Sequence, residues 1–440
     1  MSTRRDFVRS AALASAASLA ATVPAHAAPL SAPLGVLPLE PLATPRGRPE
    51  DVARDEAYWR RVASRYRVMA GTTNMEAGFF GMMASPVLAA YHRNIDLANG
   101  ASSYFARRDF PDIAQKARER VATALGAKPT ELAFSRNATE ALQALIGQYN
   151  GVKAGDTVMY ADLDYNAMQY SMNALAERTG ATVARFDMPE PASHDAIMAA
   201  YTTALDANPR TKLLLLTHCN NKTGLITPIK EIATLARARG ANVIVDAAHS
   251  FGQVPLSFDD LGADFVGLNL HKWIGAPVGA GALYIREGRL SAIDRAHGDP
   301  GPLTSIDSRI HTGTSHFAIV MTIPDALDFQ DEIGVENKAA RLRFLRDRWA
   351  IPARAIPGVD ILTPDEPELV GAITSFRLHG RGDRAANLAA AATLVDEFKL
   401  FTVYRNGLAK GDCVRVTPAL YNTPADADRL VAALRVMAAR

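Results

Sequence analysis

Cysteine is almost missing from this sequence. Two occur in 440 residues, Cys219 and Cys413, and neither stands in a Cys-x-x-Cys or Cys/His cluster. A zinc site is therefore not expected, and no spacing argues for a disulfide. Surplus charge is missing too: 48 Lys and Arg face 46 Asp and Glu, a formal net charge of +2. That balance gives no support to a nucleic-acid role. Past the N-terminus no apolar stretch is long enough to span a membrane. What remains is ordinary globular composition, 48% hydrophobic and 21% charged, with length for a large core and two domains.

The N-terminus does not read as fold. Thr3-Arg4-Arg5-Asp6-Phe7 is a twin-arginine pattern, followed by a mildly apolar alanine-rich stretch (Ala11 to Val23) and by Ala25-His26-Ala27. A charged start, a short apolar middle and a small-residue end, in that order, predict a secretory signal over residues 1–27, cleaved after about Ala27. The expectation is a periplasmic protein exported folded by the twin-arginine (Tat) machinery, with no membrane span after cleavage. Residues 28–50, rich in proline and without periodicity, read as a linker.

From residue 120 the chain alternates short apolar runs with helical segments. Strands are expected at 132–135, 156–160, 181–186, 212–217, 243–245, 265–268 and 282–285, with helices at 138–148, 168–179 and 228–239. This predicts an α/β fold with a mostly parallel central sheet covered on both faces, in a large domain over 51–318. After about residue 318 the texture changes. A long amphipathic helical region (Ile323 to Ala350), short strands and a final helix (Pro424 to Ala439) predict a smaller C-terminal α+β domain over 319–440.

Ligands of open α/β sheets sit outside the carboxyl ends of the strands, and the residues with chemistry gather there. Asp246 ends one apolar run, with His249 just behind it; His271 and Lys272 end the next. A lysine buried at a strand end has a depressed pKa and becomes a nucleophilic amine, suited to a Schiff base. A neighbouring aspartate suits a nearby cation. Pyridoxal phosphate needs both, a lysine for its aldehyde and a carboxylate for its protonated ring nitrogen. A structural ion pair, or two surface residues, would explain the same two positions. Ser135-Arg136-Asn137-Ala138-Thr139-Glu140 lies where a strand turns into a helix, whose free N–H groups favour phosphate. Tyr165 follows another strand and suits stacking on a flat ring. His218-Cys219-Asn220-Asn221 closes the Leu213–Leu216 run with polar amides.

Seven stretches occur together in order: NATEAL, DLDYNA, HCNNKTG, VDAAHS, NLHKWIGAPVG, HTGTSH and CVRVTPALYNT. Over roughly residues 70–425 the sequence resembles the PLP-dependent, fold-type I, class V aminotransferase-like family, which includes cysteine desulfurases and isopenicillin N epimerase-like proteins. The resemblance implies that Lys272 forms the internal aldimine and shuttles the Cα proton, that Asp246 pairs with the pyridine nitrogen, and that His249 contacts the ring oxygen. It implies ring stacking by Tyr165, a bond from Asn221 to the ring hydroxyl, and phosphate binding by Ala138 and Thr139 with His271 and Asn269. It also implies that Thr314 reaches the phosphate of a second subunit, hence a homodimer with shared active sites, and that Arg415 clamps the substrate α-carboxylate.

The departures narrow the reading. A desulfurase needs a nucleophilic cysteine on a mobile loop before Arg415, and FKLFTVYRNGLAKGD has none. Cys219 and Cys413 read as packed. Asn74-Met75-Glu76-Ala77 departs from the usual asparagine-rich form of the segment that borders the substrate. The expected function is Cα chemistry of the aminotransferase or epimerase type on an amino acid or peptide-linked amino acid, without a persulfide. Tailoring of a siderophore side chain (pyoverdine type) in the periplasm, and a non-catalytic PLP-fold binding or sensing protein, are the alternatives. Gly275 to Gly281 reads as a turn, Arg341 to Arg348 as a solvated face, and Gly380-Arg381-Gly382-Asp383 as a loop. Arg107 and Arg108 read as surface residues or as a site for a second carboxylate.

Overall fold

The structure, a computed structural model, describes residues 42–43, 45–310 and 313–440. The twin-arginine signal and most of the linker lie outside these residues, as do His311 and Thr312 of the HTGTSH motif.

In chain order the strands are β1 (Thr73–Asn74), β2 (Leu132–Ser135), β3 (Thr157–Ala161), β4 (Thr182–Phe186), β5 (Thr211–Thr217), β6 (Asn242–Asp246), β7 (Phe265–Asn269) and β8 (Gly281–Ile285), then β9 (Val359–Ile361), β10 (Thr374–Leu378), β11 (Leu400–Phe401), β12 (Val403–Arg405) and β13 (Cys413–Val416). Seven of them make one sheet in the order β2-β8-β7-β6-β5-β3-β4. The ladders β4–β3–β5–β6–β7 are parallel, and β8 runs antiparallel between β7 and β2. The central sheet is therefore mostly parallel, as expected.

The alternation of side chains along each strand feeds two cores. Leu214 and Leu216 join one apolar cluster, while Leu213 and Leu215 join the cluster on the opposite face. Every residue of β3, β7 and β8 is buried, which is why their sequences read as unbroken apolar runs rather than as alternations. Only β4, at the edge, is largely exposed. The carboxyl ends of the parallel strands lie along one rim, with Thr217, Asp246 and Asn269 as the last residues of β5, β6 and β7.

A second, antiparallel sheet has the order β12-β13-β10-β9 and its own apolar cluster with the final helix, Pro424–Ala438. The helical region expected over Ile323 to Ala350 is two helices, Phe317–Ile333 and Val335–Arg354. Gly334 separates them at φ +83°, a backbone conformation that glycine adopts without steric cost.

The solvated face expected from Arg341 to Arg348 is corrected by the structure. Arg341 is buried, paired with Glu56 and stacked over the Trp59 ring. Arg346 is buried too, and donates to Thr374 Oγ1 (3.0 Å) and Thr363 Oγ1 (2.7 Å). Helical charge spacing does not show which arginines meet a neighbouring element. The Gly380-Arg381-Gly382-Asp383 loop has a local role: the Asp383 side chain caps the helix Arg384–Asp396.

Residues before 120 carry no alternation in sequence, yet they form the long helices Ser85–Arg108 and Phe110–Leu125. Ahead of them the segment from β1 to Gly81 is strapped across the molecule. β1 pairs with β11, Thr417 N–H donates to Met75 O (2.7 Å), and Gly81 N–H donates to His271 O (2.8 Å). A Cβ at Gly81 would overlap the Lys272 carbonyl oxygen, so the close approach of the two chains requires glycine there.

Candidate active site

A cavity of about 390 Å³ opens at the carboxyl rim of the large sheet, within the usual range for small-molecule sites of roughly 300–1,000 Å³. Thr217, Asp246 and Asn269 line it from the strand ends; Ala138 and Thr139 line it from a helix start; Arg405 and Arg415 line it from the second sheet. Tyr165, Asn221, His249, His271 and Lys272, all expected from sequence, line it as well. Thr314 is exposed and is not among the lining residues. Arg107 and Arg108 are not among them either, and Arg108 lies over the exposed Tyr104 ring at 5.5 Å.

Asp246 is 4% exposed, and its Oδ1 accepts the Ala248 N–H at 2.9 Å. Burial pushes its pKa up, against the pull of that bond and of Lys272. Burial pushes the Lys272 amine down to about 8, with Asp246 opposing the shift and Arg415 adding to it. No ion pair joins Asp246 to Lys272 among the described residues, so the simple structural explanation of the two positions does not apply. The partner of Lys272 Nζ is His249 Nε2, at 3.0 Å.

The pattern of bonds assigns the proton on His249. Burial and then the nearby Lys272 hold the ring pKa well below its ordinary value, so the ring is neutral. Trp273 Nε1–H, which can only donate, faces His249 Nδ1 at 3.4 Å. Nδ1 is then the acceptor, and Nε2 carries a proton that it can offer to the Lys272 lone pair once the amine has deprotonated, above about pH 8. This arrangement favours the nucleophilic form of the amine.

The helix start works differently from the expectation. Asn137 caps the helix Ala138–Gly147 by accepting the Glu140 N–H, and Asn269 Oδ1 accepts the Ala138 N–H at 2.8 Å. The Ala138 amide is thus already bonded, and Thr139 is the lining residue whose amide no side chain occupies. His271 Nδ1–H donates to Ala280 O at 2.8 Å, which leaves Nε2 for the cavity. Asn221 keeps a buried side-chain oxygen without a partner, the kind of unmet group that a ring hydroxyl satisfies. A flat phosphorylated ring therefore fits the residues present, with a carboxylate, a readily deprotonated amine, an unmet amide oxygen and a helix N-terminus on the walls of one cavity.

Comparison with known proteins agrees with this geometry. Residues 82–430 match the family described as aminotransferase class-V. This chain belongs to the class-V aminotransferase family. The fit of its cavity makes pyridoxal phosphate its cofactor. Isopenicillin N epimerase from Streptomyces clavuligerus is 32% identical over 348 residues, covering 75% of this chain and 86% of the relative. Probable cysteine desulfurase 2 from Mycobacterium leprae is 26% identical, covering 83% and 92%. A solved structure of a C-DES variant with glycine covalently linked to its PLP cofactor superposes with a TM-score of 0.72 at 20% identity, covering 84% of this chain and 98% of that one. This likeness places the chain in the fold-type I architecture.

Two features of this class-V site, Arg405 and the Lys338 support, escape the motifs. Arg405, the last residue of β12, lines the cavity beside Arg415. Lys338 donates from behind to Trp273 O and, at 2.6 Å, to Gln330 Oε1, while Gln330 Nε2 donates to Ile274 O at 3.0 Å. Together they hold the Lys272 loop in place, and burial pushes the Lys338 amine down to about 7. Cys219 lines the cavity, whereas Cys413 packs under Leu362 and Leu408. Burial pushes both thiols up to about 12. At neutral pH they are protonated, and the thiolate is the nucleophile that sulfur transfer needs.

Proposed function

We propose that this protein is an exported enzyme that breaks a bond at the Cα of an amino acid or a peptide-linked amino acid, by aminotransferase- or epimerase-type chemistry, and passes no sulfur through a persulfide. The observation that carries this is the placement of Lys272, Asp246 and an arginine pair around one cavity at the sheet rim. Pyridoxal phosphate, when bound, supplies an electron sink for the electron pair left at Cα.

The chain's own groups supply the rest. Lys272 Nζ holds and moves the Cα proton, with its pKa set near the working pH by burial. Asp246 offers a buried carboxylate that becomes favourable only beside a cation. His249 Nε2–H offers a hydrogen bond to a ring oxygen, Asn221 Oδ1 accepts one from a ring hydroxyl, and Tyr165 presents an aromatic face. Thr139 N–H, Asn269 and His271 surround the helix start, where phosphate is favoured. Arginine at the opposite wall orients a carboxylate, which fixes the angle between the breaking bond and the ring.

The similarity to isopenicillin N epimerase supports Cα chemistry. The relatives named cysteine desulfurase make the persulfide the point to test. The expected result is a visible cofactor band in purified protein that shifts with particular amino acids or peptides. Product analysis should then show an epimer, a keto acid or a decarboxylated amine, and no persulfide on Cys219 or Cys413 after incubation with cysteine. A persulfide on either thiol, or a protein that takes up no cofactor, would sink the reading.

The start Thr3-Arg4-Arg5-Asp6-Phe7 supports Tat export to the periplasm, and exposed Thr314 supports a homodimer in which it reaches the neighbouring phosphate. Cell fractionation with an Arg4→Lys, Arg5→Lys variant tests the first. Sedimentation of the mature protein tests the second.

A further inference from the structure

The arginine expected to clamp a substrate carboxylate already holds one. Arg415 is 1% exposed, and its Nη2 is paired with Glu76 Oε1. Its Nη1 donates to Asn221 O at 2.7 Å. Each terminal nitrogen of the fork already has one acceptor, and among the described residues Nε has none. Gly78 makes room for this: a Cβ there would stand 2.5 Å from Arg415 Nη2.

Glu76 is not a loose residue that has fallen into the site. It is 8% exposed, and its N–H is held by Asn74 Oδ1 at 2.9 Å. The residues on either side are tied down as well: Met75 N–H donates to Phe401 O (2.9 Å) and Ala77 N–H donates to Thr417 O (3.1 Å).

A second guanidinium faces the same carboxylate. Arg405 Nη2 lies 3.6 Å from Glu76 Oε1, and its side chain is 28% exposed where that of Arg415 is 1%. Among the described residues its one close partner besides Glu76 is Tyr404 O, 3.5 Å from Nη1. Two guanidinium groups share one carboxylate, so the wall carries one uncompensated positive charge. Burial first, and the Arg415 charge second, push Arg405 down to about 10. An arriving carboxylate relieves that cost, and the guanidinium exposed enough to meet it is Arg405.

We propose that Glu76 is a specificity-determining residue, an internal carboxylate that fills the Arg415 fork, and that Arg405 takes the single free carboxylate of the substrate. This rests on the functional reading above only in treating the cavity as the substrate site. The consequence is selectivity by charge count. The native wall accepts one carboxylate, and a second finds Arg415 already neutralised by Glu76.

The test is calorimetric binding of butyrate and glutarate to the cofactor-free protein, repeated on the loaded protein by the shift of its visible band. The native protein should bind the two with similar affinity. Arg405→Gln should weaken both about tenfold or more, the loss that accompanies a charged hydrogen-bonding partner. Glu76→Gln should favour glutarate over butyrate about tenfold, because Arg415 becomes available. Arg405→Gln combined with Glu76→Gln should recover butyrate binding through Arg415.

Native-like binding by Arg405→Gln, or no recovery in the double variant, would overturn the proposal. If Glu76→Gln does not fold, Arg405→Gln decides alone, since undiminished binding there shows that the carboxylate goes elsewhere. A protein that never takes up pyridoxal phosphate would defeat the functional reading while leaving these affinities measurable. Normal cofactor uptake with an indifferent Arg405 defeats this inference alone.

Discussion

Lys272→Ala should abolish turnover and the covalent attachment of the cofactor. The loss is expected to reach at least the roughly 10²–10⁴-fold that one positioned proton-transfer group contributes. Reduction with borohydride followed by peptide mapping checks it directly: the native protein should carry the cofactor mass on the peptide containing Lys272, and the variant should carry none. The same substitution has a second signature in the cofactor-free protein. Burial holds the Lys272 pKa at about 8, below its ordinary value of 10.5. The folded state therefore disfavours the protonated amine. That penalty is fully present below about pH 8 and fades as pH rises from about 8 to 10.5. Any gain in melting temperature from removing the amine should be largest below pH 8 and should vanish at higher pH. Full activity in the alanine variant would remove Lys272 from the chemistry.

Asp246→Asn should separate stability from function. Asparagine can still accept the Ala248 N–H that Asp246 Oδ1 accepts at 2.9 Å. What disappears is the charge, and with it the charge-assisted bond to a ring cation, about 1.5–3 kcal/mol. Turnover should fall by roughly 10–150-fold on that account, at 1.4 kcal/mol per tenfold. The cofactor-free protein should nevertheless melt at a higher temperature than the native one. Burial raises the Asp246 pKa above 3.8, so ionising this carboxyl costs stability as pH rises through its folded-state value. The substitution removes that cost at neutral pH, and the difference should close as pH falls towards the ordinary carboxylate range. Melting curves of cofactor-free protein at several pH values, set beside steady-state rates, check both halves. Unimpaired turnover would mean that no ring cation depends on Asp246.

These two positions illustrate a trade between folding and function. A carboxyl pushed up by burial and an amine pushed down by burial are both unfavourable in the empty protein, and their mutual attraction, without direct contact, offsets that cost only in part. A cofactor that brings an aldehyde to one and a cation to the other turns both into favourable contacts. Sites selected for chemistry commonly carry such local instability.

Much of this was legible in the sequence because it depends on short-range rules. Unbroken apolar runs such as Leu213–Leu216 and Phe265–Leu268 need a sheet covered on both faces, and the structure buries them completely. Strand ends carry ligands in such sheets, so Asp246, Asn221 and Lys272 were marked by position and chemistry together, and they meet around one cavity. The helix start at Ala138 followed from its place after a strand.

What stayed hidden depends on contacts between residues far apart in the chain. Arg341 and Arg346 sit in a run that looks solvated, yet they are buried because Glu56, Trp59 and Thr374 arrive from other elements. Asn269 was expected to help with phosphate, but its oxygen is spent on the Ala138 N–H, 131 residues away in sequence. Glu76 appeared only as a departure from a motif. Its pairing with Arg415 spans 339 residues, and no periodicity or spacing encodes such a contact. The layered sheet, the lysine and aspartate at its rim and the helix start follow from the amino-acid order alone, because backbone periodicity and burial act locally. Which arginine is the more exposed, which amide is already bonded and which histidine nitrogen carries the proton depend on the packed fold, because hydrogen-bonding capacity is shared out among whichever groups it brings within about 3 Å of one another.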